Sequence, residues 1–151
     1  MRDLRSFGPE SAEWAEVLQL DLQEMQYPWT ESMWRELNFK NNRLFIIQDG
    51  QQVVGFALYQ LSPLENLAHL LKIVVHPVQR GTGCAPKFFA EQVAKLRSEQ
   101  CTRIYLEVSA KNETAVGFYR KLGFSLLRRI PGFYQDGAEA FTMEMGINSS
   151  I

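Results

Sequence analysis

Residues 70–96 constrain the fold of this chain more than any other stretch. An aliphatic and β-branched run at 70–75 passes through His76, Pro77 and a Gly81-Thr82-Gly83 turn directly into a helical pattern carrying Phe88, Phe89, Val93 and Leu96. A strand and a helix joined this way each have one apolar face, and packing those faces together is the basis of a layered α/β domain. Pro77 ends the strand because it has no N–H to give to a ladder, and Pro86 suits the first turn of a helix, where no N–H is needed. Gly81 and Gly83 allow positive φ and close approach of a ligand to the backbone. Their N–H groups, at the positive end of the helix that follows, suit phosphate oxygens. A second strand and helix come next, since 104–108 alternates and Asn112 opens a helix ending at Leu122-Gly123, where glycine suits the C-terminal cap.

The remaining pattern fits around this unit. Residues 4–7 can form a short first strand, and Ser11 caps a helix running to about Met25 with Trp14, Leu18, Leu22 and Met25 on one stripe. Tyr27-Pro28-Trp29 breaks it, and Thr30 caps a second helix carrying Met33, Trp34 and Leu37. Strands at 44–47 and 53–61 are joined by Asp49-Gly50, a hairpin signal, and two strands near 124–129 and 139–145 close the domain. A chain of 151 residues with 46% apolar residues and no linker or repeat suits a single domain spanning 1–151. A formal net charge of −1 supplies no electrostatic argument for direct nucleic-acid binding or for a membrane surface. Met1 to Ser6 is charged, so no signal sequence is expected. With Cys84 and Cys101 as the only cysteines, a reducing cytoplasm is the expected location. Cys84, Cys101, His69 and His76 show no metal-site spacing, and no metal is expected.

The turn excludes two common phosphate loops. It lacks G-x-x-x-x-G-K-[ST], and Gly81-Thr82-Gly83 is followed by Cys84-Ala85-Pro86 rather than the remaining glycine of G-x-G-x-x-G. Arg80, Gly83 and Ala85 do fit [RQ]-x-x-G-x-[GA], which resembles the pyrophosphate loop of acetyl-coenzyme A-dependent N-acetyltransferases of the GNAT superfamily. Further resemblances occur in the family's order. Val53-Val54-Gly55-Phe56 resembles its third strand, Ile73-Val74-Val75 its fourth, and Leu106-Glu107-Val108 its fifth. Asn112, Ala115, Phe118-Tyr119 and Gly123-Phe124 match N-x-x-A-x-x-[FL]-Y-x-x-x-G-F. Within the superfamily the chain is similar to the bacterial ribosomal-protein-alanine N-acetyltransferase (RimI-like) branch, through Tyr27-Pro28-Trp29-Thr30, Leu106-Glu107-Val108 and Gly132-Phe133-Tyr134. It departs where that branch commonly has a glutamate on the fourth strand, for which this chain has Leu67, Ala68 and His69, and where a usual double tyrosine reads Phe133-Tyr134.

The resemblance implies an α/β fold of the α+β type: a mixed, mostly antiparallel six- or seven-stranded sheet flanked by about four helices. It implies acetyl-coenzyme A as cosubstrate, bound by Ile73, Val74 and Val75 along the pantetheine arm. Arg80, Gly81, Thr82, Gly83, Cys84, Ala85 and Pro86 would hold the pyrophosphate, with Asn112 and Tyr119 on one face of the last helix. The acceptor would be a protein N-terminus, such as that of a ribosomal protein, or a small amine. A coenzyme-binding sensor or partner subunit without turnover is the alternative from another class.

Acetyl transfer to an amine requires that the amine lose a proton, that an oxyanion be stabilised, and that the departing thiolate be protonated. Glu107 is the candidate base. In 104–108, Ile104, Leu106 and Val108 form the apolar face, leaving Tyr105 and Glu107 on the other, and a carboxylate on an interior strand is costly without a partner or a task. Tyr119 is the candidate acid, near the thioester sulfur on the family's pattern, with Phe118 beside it expected in the core. Tyr27, Trp29 and Tyr134 are candidates to line the acceptor groove, although aromatic packing at a helix break and a strand start would account for them equally. Pro86 lacks the N–H that the family often gives to the pyrophosphate. Cys84, at a helix N-terminus, is open to a covalent role, though the family's direct transfer favours a variable loop position. His69 could act as a second base or simply pack, and His76 reads as a turn residue.

Overall fold

The computed structural model describes residues 2–3, 11–79 and 81–148. Its elements run β1 (Arg2–Asp3), α1 (Ala12–Glu24), α2 (Glu31–Arg35), β2 (Asn42–Asp49), β3 (Gln52–Ser62), β4 (Leu67–Val75), α3 (Cys84–Ser98), β5 (Arg103–Ser109), α4 (Glu113–Leu122), β6 (Ser125–Ile130) and β7 (Ala140–Gly146), with single 3-10 turns at Pro63–Glu65 and Pro77–Gln79. One mixed sheet holds all seven strands in the order β1-β2-β3-β4-β5-β7-β6. Every neighbouring pair is antiparallel except β4 and β5, which α3 connects as a parallel crossover. The expected α/β architecture is therefore present, with seven strands and four α-helices among the described residues.

Local chemistry explains most of the boundaries. Ser11 Oγ accepts the Trp14 N–H at 3.2 Å, Thr30 Oγ1 the Met33 N–H at 3.2 Å, and Asn112 Oδ1 the Ala115 N–H at 3.1 Å, so three helices begin on side-chain caps. Gly123, at φ 113°, closes α4. The β2–β3 hairpin places Asp49 opposite Gln52, so the turn residues are Gly50 and Gln51, one position later than Asp49-Gly50 suggests. A bulge beside Gln48 absorbs the shift.

Two apolar clusters lie on opposite faces of the sheet. One packs α3 and α4 through Phe88, Phe89, Leu96 and Val116 against Tyr59, Ile104 and Leu106. The other packs α1 and α2 through Trp14, Val17, Leu20 and Trp34 against Leu44, Phe56 and Leu58.

Three expectations are corrected. The buried stripe of α1 is Trp14, Val17, Leu20 and Asp21, while Leu18 and Met25 are only partly buried and Leu22 is 65% exposed. The helix is rotated because Asp21, polar in sequence, has a partner inside. Met33 is likewise exposed, leaving Trp34 as the buried residue of α2. In α4, Val116 fills the core and Phe118 does not join it; Tyr119 packs there instead. The suggested strand at 4–7 lies outside the described residues. No helix is long and apolar enough to cross a membrane among those described.

Candidate active site

The site follows from where β4 and β5 stop pairing. Their parallel register covers Leu67 with Arg103, Ala68 with Ile104 and His69 with Tyr105, and then ends. Beyond that point β4 stays on β3 up to Val75, while β5 stays on β7 up to Ser109. The two strands part, and the wedge opens into a cavity of about 430 Å³. Strand edges that face each other without pairing need other partners, and an extended amide-bearing chain is the natural one. The β3–β4 register passes from Leu58–Lys72 to Tyr59–Leu70, so Leu71 is a bulge, and it lines the cavity.

Ile73, Val74, Val75, Ala85, Asn112 and Tyr119 all line this space, so β4, the start of α3 and α4 bring half of the expected coenzyme residues together. The turn before α3 lies beyond Ala85. Gly81 and Gly83 sit at φ 78° and 81°, and a Cβ on either would meet nothing within 4 Å. The open space and the positive φ suit a pyrophosphate against the backbone. Thr82 Oγ1 donates to the Gln79 carbonyl at 2.6 Å and accepts the Cys84 N–H at 3.3 Å, which shapes the loop. Pro86 falls in the first turn of α3, where its missing N–H breaks no helix bond. Arg80 lies outside the described residues. Cys84 is a partly exposed free thiol. Among the described residues no group of three or more His, Cys, Asp or Glu side chains could hold a metal ion.

Glu107 and Tyr119 line the same cavity from β5 and α4. Glu107 alternates with the buried Leu106 and Val108 as the sequence pattern implies. Its carboxylate, 21% exposed, meets the His69 ring: Nε2 lies 2.6 Å from Oε2. Burial, and then the nearby Tyr134 phenol, push the Tyr119 phenol far above its ordinary range. Tyr134 is itself pushed up to about 12, by burial first and then by the charge of Glu107 and by Tyr27 and Asp136. Both phenols therefore stay protonated and able to donate at neutral pH.

The Tyr27 and Tyr134 rings stack at 4.4 Å and 3° between planes, and both line the cavity. The Tyr27 hydroxyl donates to Asp136 Oδ2 at 3.0 Å, joining the α1–α2 loop to the β6–β7 loop. Trp29 is not among the lining residues. Its ring packs on the core 5.0 Å from Trp34, with Lys72 Nζ 5.1 Å from its centroid. Lys72 is held by Asp21 and donates to the Tyr27 carbonyl at 3.2 Å, so a buried charge pair anchors the loop that carries Tyr27.

Sequence reasoning passed over Asp21 and Lys72. The available signal was a lysine inside an otherwise apolar strand, Leu70-Leu71-Lys72-Ile73-Val74, since a buried ammonium requires a counter-charge. The His69–Glu107 contact carried no such signal, because it depends on the register between β4 and β5.

The chain is similar to known proteins in sequence and in fold. Residues 14–124 match the acetyltransferase (GNAT) family profile. The chain is 30% identical over 122 residues to the N-alpha-acetyltransferase RimI of Mycobacterium tuberculosis, covering 77% of this chain and 74% of that protein. It is 31% identical over 91 residues to an N-alpha-acetyltransferase of Saccharolobus solfataricus, covering 59% of this chain and 54% of the relative, about half of its length. Its fold superposes on the crystal structure of the ribosomal-protein-S18-alanine N-acetyltransferase from Escherichia coli with a TM-score of 0.79, at 21% identity, over 91% of this chain and 89% of that one. With the profile match spanning most of the chain, this protein belongs to the acetyltransferase (GNAT) family.

Proposed function

We propose that this chain transfers an acetyl group from acetyl-coenzyme A to a primary amine, the α-amine of a protein N-terminus such as that of a ribosomal protein. The observation that carries the reading is a single cavity in which Glu107 and Tyr119 share the space opened where β4 and β5 part. The likeness to N-alpha-acetyltransferases favours an N-terminal acceptor over a free amine.

When bound, acetyl-coenzyme A supplies an acetyl thioester whose carbonyl carbon takes up the amine and whose sulfur leaves. Ile73, Val74 and Val75 hold the extended arm at the β4 edge, and the Gly81–Ala85 backbone cradles the pyrophosphate. Holding two reactants in line contributes roughly 7–11 kcal/mol to lowering such a barrier. Glu107 takes the proton of the incoming ammonium, directly or through a water, and Tyr119 gives its phenolic proton to the departing sulfur; such general acid and base steps contribute about 10²–10⁴-fold. The peptide unit at the Leu71 bulge, released from the β3 ladder, is the candidate donor to the oxyanion. Tyr27 and Tyr134 flank the acceptor at the mouth.

The test is coenzyme A release from acetyl-coenzyme A with peptides beginning in Ala, Ser, Met or Gly, alongside free amines, with mass spectrometry to place the acetyl group. Acetyl on a peptide α-amine is the expected result. Acetyl on free amines alone would replace the acceptor class, and coenzyme binding without turnover on any acceptor would favour a sensor.

A further inference from the structure

We propose that His69 is the positioning residue for Glu107, an inference that rests on Glu107 being the base. The contact lies at the floor of the wedge. His69 is the last β4 residue paired with β5, opposite Tyr105, and Glu107 is two positions further along β5, past the end of the ladder. Backbone hydrogen bonds fix β5 against β4 up to Tyr105, and beyond it a side-chain bond takes over, His69 Nε2 to Glu107 Oε2 at 2.6 Å. A carboxylate can only accept, so Nε2 carries the proton and donates. Such a charge-assisted bond is shorter and stronger than a neutral one.

His69 acts through Glu107 rather than on the substrates. Glu107 lines the cavity and His69 does not. The imidazole is itself held, with its ring 5.2 Å from Tyr105 in an edge-to-face contact and its side chain 25% exposed. Burial, and then the charge of Glu107, raise the Tyr105 phenol above its ordinary value. Holding Oε2 fixes the plane of the carboxylate, which would otherwise be free to rotate at the widening end of the wedge. A base works only when its oxygen lies within hydrogen-bond reach of the proton it removes.

The experiment compares His69→Phe, which keeps a ring against Tyr105 but has no donor, with His69→Gln, which restores an N–H donor. Both are assayed in the full chain by coenzyme A release at saturating peptide, with thermal unfolding as the folding control. The expected result for His69→Phe is a fall in kcat of up to about 100-fold, the scale of a misplaced catalytic group, with KM for acetyl-coenzyme A unchanged. His69→Gln should recover most of that loss. In a Glu107→Gln background, His69→Phe should cost nothing further. As a second route, His69→Ala should regain kcat when imidazole is added to the assay.

Wild-type kcat in His69→Phe, a loss confined to KM, a His69→Gln protein as slow as His69→Phe, or no response to imidazole would each overturn the proposal. Full independent losses in the double variant would do the same. A Glu107→Gln protein at the wild-type rate would instead remove the base itself, and the positioning role with it.

Discussion

Lys72 and Asp21 form an ion pair sealed inside the domain, with Nζ 2.7 Å from Oδ1 and the side chains 2% and 1% exposed. Asp21 Oδ2 also accepts the Trp29 N–H and the Trp34 Nε1–H, both at 2.9 Å, so this carboxylate ties α1, the α1–α2 loop and α2 to β4. Burial lowers the Lys72 pKa, and the hydrogen bond and charge of Asp21 oppose the fall. Removing one member leaves the other buried without its counter-charge. Lys72→Met should therefore destabilise the fold by about 3–5 kcal/mol in chemical denaturation. Pairing it with Asp21→Leu should recover part of that cost, and additive losses would contradict the coupling.

Glu107→Gln keeps the shape of the side chain and removes its basicity. The expected outcome is a kcat about 10²–10⁴-fold lower, with acetyl-coenzyme A affinity preserved by calorimetry. A large loss of affinity instead would mean that Glu107 holds the coenzyme rather than the proton.

Tyr119→Phe should slow turnover while leaving the unfolding midpoint close to wild type, because the ring still packs on Phe124 at 5.7 Å. The phenol is held far above its ordinary value, so its deprotonation should put no falling limb in the rate profile up to pH of about 10. A limb there that vanishes in Tyr119→Phe would show that burial does not protect the proton.

Gly83→Val places a β-branched side chain at φ 81° and fills the open space before α3. Coenzyme binding should be lost while circular dichroism stays native. Normal binding would move the pyrophosphate elsewhere.

The Tyr27–Asp136 link should respond to acid. The Ala138 backbone N–H, and then the Tyr27 hydroxyl, hold the Asp136 carboxyl below its ordinary range. Its folded pKa is depressed, so the link contributes fully above the ordinary carboxylate value of about 3.9 and is lost as pH falls through the lower folded value. Ring chemical shifts of Tyr134 should move over that window, and Asp136→Ala should abolish the movement.

How much of this was legible in the sequence depends on the range of the interaction. Ser11, Thr30 and Asn112 cap helices through atoms three residues away, and Gly123 ends one by its own φ, so each could be read from neighbouring residues. The alternation of Ile104, Leu106 and Val108 likewise placed Glu107 on the opposite face of β5 without knowledge of any other strand. The stripe of α1 could not be read this way, because Asp21 turns inward only where Lys72, 51 residues further on, waits for it. Tyr27 reaches Asp136 across 109 residues, and Trp29, beside it in sequence, faces the core instead. His69 meets Glu107 only because the β4–β5 ladder ends two positions short of that carboxylate. Caps, turns and alternation are local consequences of side-chain chemistry and were determined by the sequence alone. The buried pair, the stacked tyrosines and the grip on the candidate base were decided by strand register and by where the sheet splits, which exist only once distant segments have packed.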